Sequence, residues 1–171
     1  MKNKIIFFKN RQKAFTLVEL LVVMSIIGIL AALAVGSFRT AQVRGRDAQR
    51  KSDLKQISHS LELFYADYGK YPNASGGKIS ACPYDPGLAS GSVCTWGSSE
   101  MTDGRTTYFK VVPKDPTANQ SYTYEVVSGS SNQKYKLFAK LENTKDQDCI
   151  DENCAQDPNF AVTSANTDAN E

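Results

Sequence analysis

Apolar and polar positions divide this chain into an unbroken greasy stretch, a striped stretch and a region of short alternating runs. Residues 15–38 form 24 consecutive positions whose only charge is Glu19. At about 1.5 Å of rise per residue such a helix covers about 36 Å, enough to cross a hydrocarbon layer about 30 Å thick with some tilt. Beyond Phe38 the sequence turns polar without a break signal, since residues 39–68 hold one glycine and no proline. There Leu54, Ile57, Leu61, Phe64 and Tyr68 recur at steps of three and four, the spacing of an amphipathic helix, with Val43 and Ala48 ahead of them. The run Asp67-Tyr68-Gly69-Lys70-Tyr71-Pro72 supplies the stop, glycine just past the end and proline soon after. One helix is therefore expected to continue from the membrane-length half into an amphipathic half whose stripe needs a cover.

The last third of the chain offers that cover. Residues 108–112, 122–127 and 135–141 are rich in aromatic and β-branched side chains, with a turn at 128–132 between the last two, and read as three antiparallel strands. Tyr122, Tyr124 and Val126 alternate with Thr123, Glu125 and Val127, and Leu137, Ala139 and Leu141 alternate with Lys136, Phe138 and Lys140. One face of that sheet can close over the helix stripe. Residues 73–103 are dominated by turn formers and read as a variable loop, and 163–171 as a flexible tail. The fold class expected is α+β: a long N-terminal helix, half transmembrane and half amphipathic, packed on a small antiparallel β-sheet head. Its parts would be a basic leader at 1–14, a membrane and assembly helix at 15–38, an amphipathic helix at 39–70, a head at 71–162 and the tail.

Charge changes this picture in one place. The 171 residues carry 20 basic and 18 acidic side chains, a formal +2. Five of the bases, Lys2, Lys4, Lys9, Arg11 and Lys13, lie in residues 1–14 with no acid, so without that leader 15 bases face 18 acids, a charge of −3. A nucleic-acid partner is not expected for a chain so balanced. Bases at 44, 46, 50, 51 and 55 are interspersed with Asp47 and Asp53, and solvated or intersubunit ion pairs on the helix account for them. The positive-inside rule holds the leader at the cytoplasmic face, which sends the rest of the chain out of the cytoplasm.

Four cysteines, Cys82, Cys94, Cys149 and Cys154, lie beyond the membrane-length stretch in segments rich in Gly, Ser, Asn and Asp. An even count in an exported region reads as disulfides; pairing of sequence neighbours gives Cys82 with Cys94 and Cys149 with Cys154, and two other connectivities remain open. The acidic run around the second pair makes Asp146, Asp148 and Asp151 weak calcium candidates, although it lacks the Asp-x-Asp-x-Asp-Gly order of a standard loop and a solvated acidic loop is favoured. No other cofactor is expected. His59 is the sole histidine, with no Ser-His-Asp constellation, phosphate loop or metalloprotease motif beside it, so the chain does not read as an enzyme.

The greasy stretch holds the most telling residue. A carboxylate in mid-bilayer costs about 2.5–3.5 kcal/mol on insertion scales, less near the interface, so Glu19 needs compensation. The polar-to-apolar boundary at Lys13-Ala14-Phe15 comes before the greasy helix, whereas a secretory signal is cut after a shorter one. A cut between Ala14 and Phe15 sheds the leader, keeps the helix and frees an ammonium group four residues from Glu19. Packed helices then let the carboxylate of one copy meet the amine of another.

With Phe15-Thr16-Leu17-Val18-Glu19-Leu20 after a short basic leader, the chain resembles the type IV pilin and pseudopilin superfamily. The run from Arg46 through Ile57, with Leu61-Glu62-Leu63-Phe64-Tyr65 and Gly69-Lys70-Tyr71-Pro72, is similar to the passage from helix to head in such proteins. The resemblance covers residues 1–72 closely and the head less specifically. It implies cleavage before Phe15 by a membrane prepilin peptidase, N-methylation of Phe15, and Glu19 as the assembly acid. It further implies as partners copies of the chain and related pilins, an inner-membrane assembly platform and membrane lipid. Two departures stand out: Ala14 replaces the usual glycine, and Gly36 stands where a proline is frequent. Gly28 and Gly36 each weaken a helix by about 1 kcal/mol relative to Ala, which suits local bending or close helix approach. The function expected is a structural filament subunit anchored once in the inner membrane and then exported. The disulfide loops mildly favour a pilus over a secretion pseudopilus; a membrane-tethered binding module that never polymerises is the alternative of a different class.

Overall fold

The computed structural model describes residues 15–151 and 154–168. The leader with Ala14 lies outside the described residues, as do Glu152 and the last three positions. Helix α1 runs Leu17–Tyr68, and the chain divides into two compact units between Ala41 and Gln42.

In the first unit the described side chains from Phe15 to Ala41 are all exposed. An 18-residue window reaches a mean hydropathy of 2.7 with none of it buried, so by length and composition this part of α1 can cross a membrane. A helix apolar all round, with nothing from the described residues against it, is matched to lipid or to other helices.

In the second unit α1 is striped as expected from Leu54 onward. Leu54, Ile57, Leu61 and Phe64 are buried and Tyr68 packs against the core. Val43 is only half-buried and Ala48 is exposed, because the turns before Leu54 bury charged residues instead. Gly69 ends the helix at φ +65°, a left-handed conformation suited to glycine, and its amide donates to the Tyr65 carbonyl at 2.7 Å.

Eight strands in three antiparallel sheets are described. Strands β1 (Asn73–Ser75), β2 (Lys78–Asp85) and β3 (Ser90–Val93) form the first, in that order. A two-stranded ladder joins β4 (Met101–Thr102) to β5 (Thr107–Phe109). Strands β6 (Thr123–Val126), β7 (Tyr135–Ala139) and β8 (Phe160–Thr163) form the third, with Tyr124 opposite Leu137 and Leu137 opposite Val162.

Three expectations need correction. Residues 73–103 are not a loop: they contain β1 to β4, held by pairing and by a disulfide rather than by a run of strongly β-forming residues. Strand β5 pairs with β4 and not with β6. The third strand of the main sheet is β8, which overlaps the expected tail; Thr163 ends it, and buried Ser164 donates its amide to the Tyr135 carbonyl at 3.2 Å. Gly91 permits the tight β2–β3 hairpin, since a Cβ there would stand 2.6 Å from the Ser80 carbonyl oxygen.

The expected alternation in β6 and β7 holds where burial decides it: Tyr122, Tyr124, Leu137, Ala139 and Leu141 are buried. Tyrosine suits this interior because its ring is apolar and its hydroxyl needs a partner. Tyr124 donates to the Pro72 carbonyl at 2.8 Å, Tyr135 shares a 2.8 Å bond with Ser58, and Tyr108 donates to Asp67 at 2.7 Å. Burial pushes the Tyr135 hydroxyl up to about 12. Ring and hydroxyl together clamp the strands to the polar flanks of the helix stripe.

Candidate assembly site and the buried arginine of the head

Glu19 sits in the first turn of α1. The Thr16 amide and hydroxyl donate to its Oε2 at 3.1 and 2.9 Å, and the Glu19 amide donates to Thr16 Oγ1 at 3.2 Å. That reciprocal pair is a capping box, Thr-x-x-Glu, which satisfies amides left without partners at a helix start. The spacing was readable in the sequence but was passed over in favour of the carboxylate's cost. Among the described residues, Glu19's side-chain bonds fall on Oε2 and come from Thr16 alone. The arrangement holds the carboxylate in the first turn of the helix. Phe15 is exposed beside it.

Gly28 and Gly36 lie within α1, and a Cβ at either would meet nothing within 4 Å. Among the described residues, no contact asks for glycine at those positions.

The head contains a polar centre that the pattern of charges did not announce. Arg50 is completely buried and spreads its guanidinium over three carboxylates. Its Nε donates to Asp115 Oδ2 at 2.7 Å and its Nη2 to Oδ1 at 3.0 Å, a two-point clasp; Nη1 donates to Asp47 at 2.8 Å and to Glu142 at 2.8 Å. Thr117 also receives a bond from Nη2. Glu142 is clasped from its other side by Arg46 Nε at 2.7 Å. Asp47 in turn accepts the amides of Glu142 and Asn143 at 2.9 and 2.8 Å. The helix, the segment after β5 and the segment after β7 are thus tied through one cation.

The charges respond to this enclosure. Burial opposes the charge on Arg50, but bonds to Asp115, Glu142 and Asp47 outweigh it and the pKa is raised. The Arg46 bond, then Arg50, holds Glu142 down at about 2. Asp115 is lowered because the Arg50 and Thr117 bonds overcome its burial. Asp53 moves the other way: burial raises it despite a 2.7 Å bond from the Tyr122 hydroxyl.

This corrects the expectation of a solvated charged face. Stepping back from Leu54 by four and then three residues lands on Arg50 and Asp47, so the buried stripe continues in charge where it stops in hydrocarbon. Periodicity counted on apolar residues alone cannot register that.

Two disulfides are present, Cys82–Cys94 and Cys149–Cys154, each joining sequence neighbours. The acidic loop is tied to the helix, because Lys51 Nζ donates to Asp146 at 2.5 Å and to Asp148 at 2.7 Å. Asp151 caps its own turn, accepting the Ala155 amide at 2.8 Å. Among the described residues no group of three or more His, Cys, Asp or Glu side chains is placed to hold a metal ion. His59 is exposed on the helix.

A membrane-length helix with a capped acid in its first turn, continuous with a helix packed on a small β head, defines a pilin-like α+β class. Residues 9–35 match the prokaryotic N-terminal methylation motif. The type IV major pilin protein PilA of Myxococcus xanthus is 38% identical over 64 residues, 37% of this chain and 29% of that protein. Type II secretion system core protein G of Aeromonas hydrophila is 29% identical over 131 residues, 77% of this chain and 83% of the relative. The protein of the same name from Escherichia coli is 27% identical over 132 residues, 76% and 81% of the two chains. The chain is similar to type IV pilins and type II secretion pseudopilins, and it covers less than a third of the length of the pilin it matches. No solved structure matches it.

Proposed function

We propose that the chain is a structural subunit of a type IV pilus-like filament, polymerised through the helix at 15–38. The observation that carries this is Glu19: one carboxylate in an exposed, membrane-length apolar surface, bonded by Thr16 in its own first turn and four residues from Phe15. A prepilin peptidase cuts between Ala14 and Phe15, and the freed amine is N-methylated. In the membrane the apolar helix is covered by lipid; in the filament it is covered by neighbouring helices, where the amine of one copy neutralises Glu19 of another. An inner-membrane assembly platform lifts subunits out of the bilayer, the basic leader having fixed the N terminus on the cytoplasmic side. The chain's work is packing, not catalysis.

A second reading, the type II secretion pseudopilus, has its own support. Similarity to the core protein G relatives extends over three-quarters of the chain and so includes head residues, whereas the pilin match spans 64 residues. Deleting pilus genes and secretion genes separately, and scoring which loss abolishes filaments, separates the two. Mass spectrometry of the mature N terminus tests the common core: N-methyl-Phe15 is expected, and an intact leader on the assembled protein would falsify the processing scheme.

A further inference from the structure

Away from the membrane-length helix, the head carries one apolar side chain with no evident reason to be in water. Leu88, at the β2–β3 turn, is 77% exposed, the most exposed large apolar residue of the head. The turn that displays it is built rather than slack: Asp85 Oδ1 accepts the Gly87 amide at 2.8 Å and the Leu88 amide at 3.4 Å. The tip therefore offers a leucine and a carboxylate side by side.

Elsewhere on the same unit lies a surface of opposite character. A groove of about 500 Å³ runs between α1 and β5, with Phe109 in its wall and Lys55, Gln56, His59 and Lys110 around it. Lys55, His59 and Lys110 are all exposed, and none of the groove's lining residues is acidic. Leu63, one helical turn beyond His59 on the same face, extends the apolar surface and is itself half exposed.

We propose that the Asp85–Leu88 tip of one subunit seats in the Lys55–Lys110 groove of a second copy. Leucine enters against Phe109 and the Asp85 carboxylate faces the two lysines, so the pairing matches shape class and charge sign at once. Tip and groove share no residue, so the contact is heterologous: each subunit gives a tip to one neighbour and a groove to another. A heterologous contact propagates as an open helix when its rotation does not close a ring, which is what a helical polymer requires. It also supplies head-to-head specificity that a uniformly greasy helix bundle lacks. The inference rests on the filament reading above and names the surfaces by which the heads would join.

The test uses filaments of the full chain treated with a zero-length carbodiimide, which joins a carboxylate to an amine only when they touch. A cross-linked peptide joining Asp85 to Lys110 or Lys55 is expected from covalent dimers and absent from detergent-dispersed monomer. Asp85→Lys and Lys110→Glu should each cut filament yield about tenfold by setting like charges together, and the double reversal should recover most of it. The melting temperature excludes misfolding: it stays unchanged for Lys110→Glu and falls slightly for Asp85→Lys, which also removes the turn's two amide bonds. Abundant filaments without that peptide, with both single variants at full yield, would overturn the inference and leave the filament reading intact. Loss with Lys110→Glu alone, unrescued by Asp85→Lys, would also overturn it, pointing to a different anionic occupant. If the wild-type chain forms no filaments, the filament reading fails first and the inference with it.

Discussion

The two halves of α1 are one helix by backbone and two different objects by surface. From Phe15 to Ala41 the described side chains are exposed and almost uniformly apolar; from Asp47 to Phe64 one stripe is sealed by the chain's own sheets. Each half contains a charge in a costly place, and the solutions differ. Glu19's described side-chain bonds come from Thr16 in its own turn, whereas Arg50 is matched on all sides by Asp47, Asp115, Glu142 and Thr117. A charge completed inside the chain stabilises a fold. One held by a single neighbour in its own turn, on a helix exposed along its length, is placed to meet a partner.

That contrast makes distinct demands on mutants. The largest effect is expected from Glu19→Leu: filaments in sheared surface fractions should all but vanish while the head's thermal melt stays unchanged, because the substitution touches only the half that needs other copies. Undiminished filaments would remove the basis for assigning Glu19 to assembly. Arg50→Met should do the reverse, destabilising the head by about 3–5 kcal/mol as three carboxylates lose their buried partner. Denaturant titration followed by Trp96 fluorescence reads it. Arg50→Lys should recover only part of this, since an ammonium cannot form the two-point clasp on Asp115.

Removing the Cys82–Cys94 bridge by paired serine substitutions should cost about 2–3 kcal/mol, more than removing Cys149–Cys154, because the first closes the longer loop of 12 residues against 5. Acid should weaken the head by a smaller net amount. Glu142, held at about 2, contributes stability that is complete above the ordinary carboxylate range and lost as pH falls toward about 2, and Asp115, also lowered, loses its contribution in the same direction as pH falls below that range. Asp53 is raised and contributes with the opposite sign, so it offsets part of the loss. Melting temperatures of the detergent-solubilised chain at pH 7, 4 and 3 should fall in that order, and Glu142→Gln should flatten the slope. Least of all, Thr16→Val should cost the first turn of α1 about 1 kcal/mol by removing the capping box. Faster amide exchange at residues 17–19 would report it.

Much of this was legible without coordinates, and the failures share a cause. The membrane-length stretch, the 54-57-61-64-68 stripe, the glycine stop after Tyr68 and the alternation in β6 and β7 all follow from short-range periodicity. Strands β1, β3 and β4 were missed because they are two to four residues long, and β2 because it is interrupted by Cys82-Pro83; each is stabilised by pairing, β1 to β3 with one another and β4 with β5. Strand β8 was missed because Phe160 to Thr163 is too brief to signal on its own and borrows its conformation from β7. Arg50 was read as surface because charge is ordinarily solvated; its three carboxylate partners come from positions 47, 115 and 142, two of which no local pattern connects to it.

By itself the sequence determined which surfaces are greasy, where the helix starts and stops, and which acid interrupts the membrane segment, because those depend on residues within a turn or two of one another. Tertiary structure alone decided that Arg50 is buried and neutralised, that β8 completes the main sheet, and that Lys51 reaches Asp146 and Asp148. Burial of a charge is favourable only when several partners, distant along the chain, arrive at once, and no local rule specifies their arrival.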